Sequence, residues 1–419
     1  MNISKKKRLT SAREAAFYAL YLWQKKGTYL ADTFHAIRQE KVLHTIDLQL
    51  AQEIAFGVVR RFHTLEALIK KGGKDFKIKL KIEAKLMIKM AVYQLIFMDR
   101  VPVYAVVCES VELSKRFSPY QAGFINGFLR KFTTLLPITD LQDQMTEEEW
   151  YSLPHFLIAK LQHSYPHDWQ KIAEASIKRP KMTFLLIDDR TANIEKEAVH
   201  KGKLRYYAMK KDLESDKLFA SSSIYTQNPT PGQLMEYLAE GHAPQTILDV
   251  CSSPGGKLII AHLLFPDARL IANEYAAERK MTLEENIAKY QIKATLLHED
   301  GRNLKLEERV DLIIIDAPCS NTGVLHKKPE AKYRLDDTSL EELKATQKAL
   351  LDRASTLIDE QGAIWYMTCS VLMEENGDLV QSWVKNHPDW IITRQKLILP
   401  DGDYRDGGYA VELKKIAIL

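Results

Sequence analysis

A chain of 419 residues is longer than one hydrophobic core ordinarily organises, so two or three domains are expected. With 46% apolar and 27% charged residues it has the make-up of a globular protein, and no apolar stretch reaches the length of a membrane span, which argues against a membrane-embedded chain. The net charge of +4 joins two opposed parts: residues 1–136 hold 24 Lys and Arg against 11 Asp and Glu (+13), the remainder 35 against 44 (−9), so a polyanion is the expected partner of the N-terminal part.

The chain opens on Ser4-Lys5-Lys6-Lys7-Arg8 with no apolar run behind it, so no secretory signal is read there and a cytoplasmic protein is expected. From residue 10 to 133 the pattern is helical. Ala12, Ala15, Ala16, Ala19, Leu20 and Trp23 recur at helical spacing behind Thr10 or Ser11 as cap. The pattern returns over Leu48–Leu68 and Ile82–Met98. Pro102 breaks the chain before a helix at Val103–Arg116, and Ser118-Pro119 starts another at Tyr120–Phe132. Gly72-Gly73 and Pro102 mark connections inside this all-helical domain, assigned to residues 1–136.

Leu135–Glu149 reads as a linker ending in a helix start at Thr146-Glu147-Glu148-Glu149. Helices near Pro154–His163 and His167–Lys178 and strands at Met182–Ile187 and Leu204–Ala208 make residues 137–222 a small α/β connector, loosened at Ser221-Ser222-Ser223. Residues 223–419 then alternate strands and helices. The strands are Thr246–Val250, Arg269–Asn273, Ala294–His298, Asp311–Ile315, Ala363–Met367, Trp390–Thr393 and Tyr409–Leu413, and the helices Lys257–Leu264, Ala277–Tyr290 and Leu340–Ile358. Such alternation predicts a largely parallel sheet covered on both faces, a Rossmann-like α/β domain. No solenoid repeat or low-complexity tract is present.

The first of these strands runs into Asp249-Val250-Cys251-Ser252-Ser253-Pro254-Gly255-Gly256-Lys257. Two glycines at a strand-to-helix turn let the backbone approach a ligand closely. The turn is not Gly-x-Gly-x-x-Gly, which disfavours a dinucleotide, and no Gly-Lys-Ser/Thr follows, which excludes a P-loop. Glu274 follows the second strand and is placed to accept from both hydroxyls of a ribose. Asp300 follows the third strand, facing where an adenine amino group would lie, and Asp316 follows the fourth. Each carboxylate alone reads as a turn residue. In series they describe a cleft for a nucleoside without phosphate, and S-adenosylmethionine, cationic at sulfur, suits an acidic floor.

Cys319 in Asp316-Ala317-Pro318-Cys319-Ser320 and Cys369 in Met367-Thr368-Cys369-Ser370 each end a buried strand, where ligands of open α/β sheets collect. One such cysteine reads as a small hydrophobe; the pair points to thiol chemistry on a bound substrate. Four cysteines in all, without close spacing, argue against a disulfide framework or a Cys-rich zinc site and fit a reducing cytosol, and no metal is expected.

These motifs carry a resemblance. Cys251 to Lys257, Asp316 to Gly323, and Thr368 to Ser370 followed by Glu374-Glu375-Asn376 resemble the motifs of RNA cytosine-C5 methyltransferases. Val101 to Ala105, Glu109 to Leu113 and Phe124 to Arg130 are similar to the NusB-like RNA-binding domain. The fusion resembles the bacterial 16S ribosomal RNA methyltransferases of the RsmB (Sun/Fmu) type, over nearly the whole chain. The chain departs from the pattern at Glu274, where Asp is usual, at Asn228, where Asp is common, and at Asn321, where Gly is usual. It departs again in the tail Asp406 to Ala410, which lacks paired aromatics.

The resemblance implies methyl transfer from S-adenosylmethionine, with Cys369 as nucleophile, Cys319 assisting removal of the C5 proton, and Asp316 on the cytosine edge. C5 of cytosine is a poor nucleophile, and a thiolate adding at C6 activates it. Chemistry alone does not choose between the thiols, since DNA cytosine-C5 enzymes use the Pro-Cys cysteine, here Cys319. The expected partner is 16S rRNA, unassembled or partly assembled, met by a monomer. Arg13, Lys25, Lys26, Arg60, Arg61 and His326-Lys327-Lys328 are candidate RNA contacts. The alternatives are the same reaction on tRNA or another rRNA site, or a non-catalytic RNA-binding factor that would have no need of thiols.

Overall fold

The computed structural model describes residues 9–72, 80–138, 142–188, 196–209 and 221–416; the Ser4–Arg8 run and Gly73 lie outside them. Two compact units make up the chain, residues 1–158 and 159–419.

The first unit contains α1 (Ala12–Lys26), α2 (Leu30–Gln39), α3 (Thr45–Arg60), α4 (Phe62–Gly72), α5 (Ile82–Phe97), α6 (Val103–Phe117), α7 (Ala122–Thr133) and the short α8 (Glu147–Tyr151). Ser11 is the cap of α1: its Oγ accepts from the Glu14 N–H at 3.3 Å, and Gly27 ends the helix at φ +67°. α5 is buried over most of its circumference, with Ala84, Leu86, Met87, Ile88, Met90, Ala91 and Val92 inside, so it is the core helix on which α1, α3, α4, α6 and α7 pack. The segment read as a linker is anchored. Thr146 and Glu149 form the expected capping box, Thr64 Oγ1 donates to the Glu149 carbonyl at 2.7 Å, and the His63 N–H donates to Ser152 Oγ at 2.8 Å.

The helical pattern over Leu48–Leu68 is two helices, because the chain turns at Arg61. Apolar periodicity does not register a one-residue break when both sides keep their apolar positions inward. The turn also bears on two basic candidates. Arg60 is 4% exposed, which withdraws it from solvent, and the half-buried Arg61 guanidinium lies 4.9 Å from the Phe97 ring and 5.6 Å from the Trp150 ring, where burial pulls it down to about 10. Lys25 and Lys26 are exposed, and Arg13 Nε donates to Gln94 Oε1 at 3.0 Å.

The division between the units falls within α9 (His155–Ser164), which is followed by α10 (Trp169–Ile177). Next come β1 (Thr183–Leu186), β2 (Lys196–Lys201), β3 (Arg205–Met209) and β4 (Ile224–Thr226), an antiparallel sheet in the order β2-β3-β1-β4. β2 and β4 escape the sequence because one is largely polar and the other three residues long.

The large sheet takes β5 (Thr246–Asp249), β6 (Arg269–Asn273), β7 (Ala294–Leu297), β8 (Val310–Asp316), β9 (Ile358–Thr368), β10 (Trp390–Ile398) and β11 (Gly408–Lys415) in the order β10-β11-β9-β8-β5-β6-β7. β5 to β9 are parallel, and β10 and β11 antiparallel. In chain order the helices of this unit are α11 (Pro229–Ala239), α12 (Gly256–Leu264), α13 (Ala277–Lys289), α14 (Asp337–Leu357) and α15 (Gly377–Asn386); α11 and α15 were not read from the sequence. One core gathers Leu234, Met235, Leu258, Ile260, Ile314 and Trp365 on one face of the sheet, another Ile313, Ile315, Leu350, Leu351, Tyr366 and Trp383 on the opposite face. Strand order reverses between β5 and β8, and a crevice outside the carboxyl ends of such a pair is where open α/β sheets hold ligands.

Candidate active site

The turn after β5 is built by its own side chains. Asp249 is wholly buried, and its Oδ2 accepts from Ser252 Oγ at 2.8 Å. The Ser252 N–H donates to the Asn273 carbonyl and the Gly255 N–H to the Ser252 carbonyl, while Asn286 Nδ2 donates to the Pro254 carbonyl. Gly255 has φ +102°, which only glycine adopts without strain, and it starts α12. Gly256 lets side chains close in: a Cβ there would stand 2.7 Å from Gln227 Nε2 and 3.2 Å from the Tyr225 ring, and both would have to shift. Asn273, buried at the end of β6, donates to the Val250 and Glu299 carbonyls and so binds three strand ends together.

Outside these ends lies a cleft of about 610 Å³. Cys251, Ser253, Glu274, Asp300, Asp316, Cys319 and Cys369 all line it; Ser252, Pro254, Gly255, Gly256 and Lys257 belong to the same turn and helix start but do not line it. Glu274 is buried, and its Oε1 accepts from the Ala276 N–H at 2.8 Å. Arg302 closes on Asp300 (Nε–Oδ1 2.9 Å, Nη2–Oδ2 2.5 Å), and these bonds hold the Asp300 carboxyl below its ordinary value. Lys257 reaches Asp316 with Nζ–Oδ2 2.6 Å. Burial alone would lower that ammonium, but Asp316 outweighs it and raises it. Burial, with Asp249, Asp316 and Glu274 nearby, pushes the Cys251 thiol up, away from reactivity.

The two remaining cysteines meet. Asp316 pairs with Met367 across β8 and β9, which sets the following turns side by side and brings Cys319 Sγ within 3.1 Å of Cys369 Sγ. A hydrogen bond from Cys319, with Lys328 and Lys257 nearby, holds the Cys369 thiol below its ordinary value against the opposing effect of burial. The same bond and burial push Cys319 up. Asn321 Oδ1 accepts from the Cys369 thiol at 3.3 Å and from Lys328 Nζ at 2.9 Å.

Beneath the sulfurs, Glu375 is fully buried. Its Oε1 accepts from the Ser320 N–H at 2.9 Å and from Gln347 Nε2 at 3.0 Å, and its Oε2 from Ser320 Oγ. Ser370 Oγ meets Thr322 Oγ1 and Ser320 Oγ, and Thr368 Oγ1 donates to Asn376 Oδ1 at 2.6 Å. This network clamps the two cysteine turns together. Gln347, on α14, carries no sequence signal for such a role, nor does Thr346, which lines the cleft; Tyr275 and Arg279 also line it and were signalled only by following Glu274. The basic triplet divides. His326 is buried with Nε2 3.0 Å from Asp406 Oδ1, Lys327 reaches Asp406 Oδ2 at 2.8 Å, and Lys328 lines the cleft.

The residues present fit a nucleoside with a cationic tail. Acidic Glu274, Asp300 and Asp316 share the cleft with apolar Val250, Ala317, Pro318 and Leu350, the mix that a neutral ring system and a sulfonium would meet.

Comparison with known proteins agrees with that geometry. A model of the family described as 16S rRNA methyltransferase RsmB/F matches residues 237–410, and one of the NusB family matches residues 10–134. Ribosomal RNA small subunit methyltransferase B of Salmonella typhi is 30% identical over 438 residues, aligning 98% of this chain with 100% of its own, and the protein of that name from Salmonella agona is equally similar. Among solved structures, that of PH0851 has a TM-score of 0.74 at 20% identity, covering 96% of this chain and 98% of its own. That of NSun6 from Pyrococcus horikoshii with SFG has a TM-score of 0.54 at 16% identity, covering 63% and 99%. At these identities the two structures speak to the fold.

Proposed function

The chain belongs to the RsmB/F family of 16S rRNA methyltransferases, and from that premise we propose that it methylates carbon 5 of a cytosine in 16S rRNA through a covalent bond between Cys369 and C6. It is a ribosomal RNA methyltransferase that uses S-adenosylmethionine. The observation that carries the finer reading is the pair of sulfurs 3.1 Å apart in the cleft, with Cys369 held below the ordinary thiol value and Cys319 above it.

When bound, the cofactor supplies an electrophilic methyl group, and Glu274, Asp300 and the turn from Cys251 to Lys257 are the groups that would hold it. Cys369, as thiolate, adds to C6 and drives electron density to C5, which takes the methyl group. Cys319 then assists removal of the C5 proton, and elimination returns the Cys369 thiolate. Asp316, tied to Lys257, hydrogen-bonds the cytosine edge and stabilises charge at N3. The target base must leave its stack or lie in a loop for C6 to be reached.

The same reading takes residues 1–136 as a NusB-like RNA-binding domain, 137–222 as a connector and 223–419 as the methyltransferase domain. It takes a cytoplasmic monomer acting on unassembled or partly assembled rRNA.

The test is methyl transfer to unmethylated 16S rRNA with mapping of 5-methylcytosine. Cys369→Ser is expected to abolish transfer, and Cys319→Ala to accumulate a protein–RNA adduct stable in denaturing gels. Retained transfer by Cys369→Ser would overturn the choice of nucleophile, and absence of an adduct the division of labour.

A further inference from the structure

Asn321 stands where the resembling motifs usually have glycine, and its side chain is fully employed. Its backbone lies at φ +59°, ψ 23°, the left-handed region that Asn tolerates better than other non-glycine residues. Its Nδ2 donates to the Cys319 carbonyl at 2.9 Å, while its Oδ1 accepts from Lys328 Nζ at 2.9 Å and from the Cys369 thiol at 3.3 Å. A carbonyl at one end and an ammonium at the other impose the same orientation on the amide. One oxygen therefore holds the Lys328 ammonium next to the Cys369 sulfur; as an acceptor it favours the protonated thiol by itself, so the ammonium is what favours the thiolate, whereas Cys319 meets this side chain through its carbonyl.

We propose that Asn321 is a positioning residue: it tethers Lys328 beside Cys369, so that Cys369 and not Cys319 is the thiol that ionises. This rests on the reading of Cys369 as nucleophile. Lys328 is exposed, and an untethered exposed ammonium would spend its charge on solvent and counter-ions. The other charged or titratable groups facing Cys369 are Lys257, Asp316 and Cys319, with Glu375 behind Cys319. None of them depends on the Asn321 side chain for its hydrogen bonds except Cys319, through its carbonyl; the Asn321 backbone N–H, which favours a Cys319 thiolate, is kept in any variant at this position.

The experiment is alkylation of the full chain by iodoacetamide between pH 5 and 10, with Cys369 followed peptide by peptide in a mass spectrometer. Asn321→Gly suits the left-handed backbone and removes the tether. It is expected to raise the apparent titration of Cys369 by about one unit, so that alkylation below that point slows roughly tenfold. Lys328→Met should give the same displacement and the double variant no more, because the two side chains act as one unit. An unmoved profile in Asn321→Gly, a double variant in which two displacements add, or a Lys328→Met variant altered only in RNA affinity would overturn the proposal. The assay needs neither RNA nor cofactor. If Cys369→Ser still transfers methyl groups, the catalytic reading fails while the alkylation result decides the tether independently.

Discussion

Asp249 is sealed behind the cleft, with one carboxylate oxygen on Ser252 and the other without a hydrogen-bond partner among the described residues. Burial raises its carboxyl to about 7, with Asp316 adding to the rise and Ser252 opposing it. A carboxyl raised on folding binds its proton more tightly in the folded state. Its contribution to stability is therefore complete below about pH 4 and is lost as the pH climbs through about 7. Asp249→Asn removes that titration, so its urea midpoint should fall less than the parent's between pH 5 and 8; parallel curves would show that Asp249 does not titrate in this window. Asn228 shows how a departure from the family pattern is absorbed. Its Oδ1 accepts from the Thr230 and Asp406 N–H groups and its Nδ2 donates to the Tyr404 carbonyl at 2.8 Å, a bond no carboxylate makes. Asn228→Asp should cost about 1–3 kcal/mol in denaturant unfolding, since it sets a carboxylate against that carbonyl.

Between elements, the turns after β8 and β9 and the one before β11 are bolted at Gly323. Its N–H donates to the Cys369 carbonyl at 2.9 Å, and its carbonyl accepts from the Gly407 N–H at 2.8 Å. A Cβ at Gly323 would stand 2.5 Å from the Gly407 oxygen and 2.8 Å from the Cys369 oxygen, and backbone cannot swing aside as a side chain can. Gly323→Ala is expected to destabilise by about 1–3 kcal/mol and to weaken methyl transfer by displacing the Cys369 turn. Gly127 in α7 meets nothing within 4 Å, so Gly127→Ala should instead stabilise by up to about 1 kcal/mol. Thermal unfolding of the two variants distinguishes them by sign. The glycines look alike in the sequence; what differs is which loop arrives beside them.

For the whole molecule, the balance of +13 in residues 1–136 against −9 in the rest makes the basic part the expected seat of rRNA affinity. Binding should weaken steeply with salt, and Lys25→Glu with Lys26→Glu, at the exposed end of α1, should reduce the slope of log K against log salt by about one to two. An unchanged slope in filter binding would take α1 off the RNA path. Burial of Arg60 and partial burial of Arg61 beside two rings mean that net charge overstates the number of solvent-facing cations.

Local patterns along the chain sufficed for the helical first part, the alternating second part, and the turn, acidic and cysteine motifs at successive strand ends. Periodicity, caps and turn residues are properties of neighbouring positions, and each motif lies within a few residues of its strand. The break at Arg61, the largely polar β2 and the three-residue β4 left no such pattern. Folding alone decided what meets across 48 to 55 residues: Cys319 with Cys369, Asn321 with Cys369, Ser320 with Glu375. Those meetings depend on the pairing of Asp316 with Met367, since a parallel pair shifted by one residue would turn the strand-end side chains to the opposite face. The motifs at the strand ends were therefore readable before the structure, whereas the meeting of two sulfurs, an amide and an ammonium belongs to the folded chain alone.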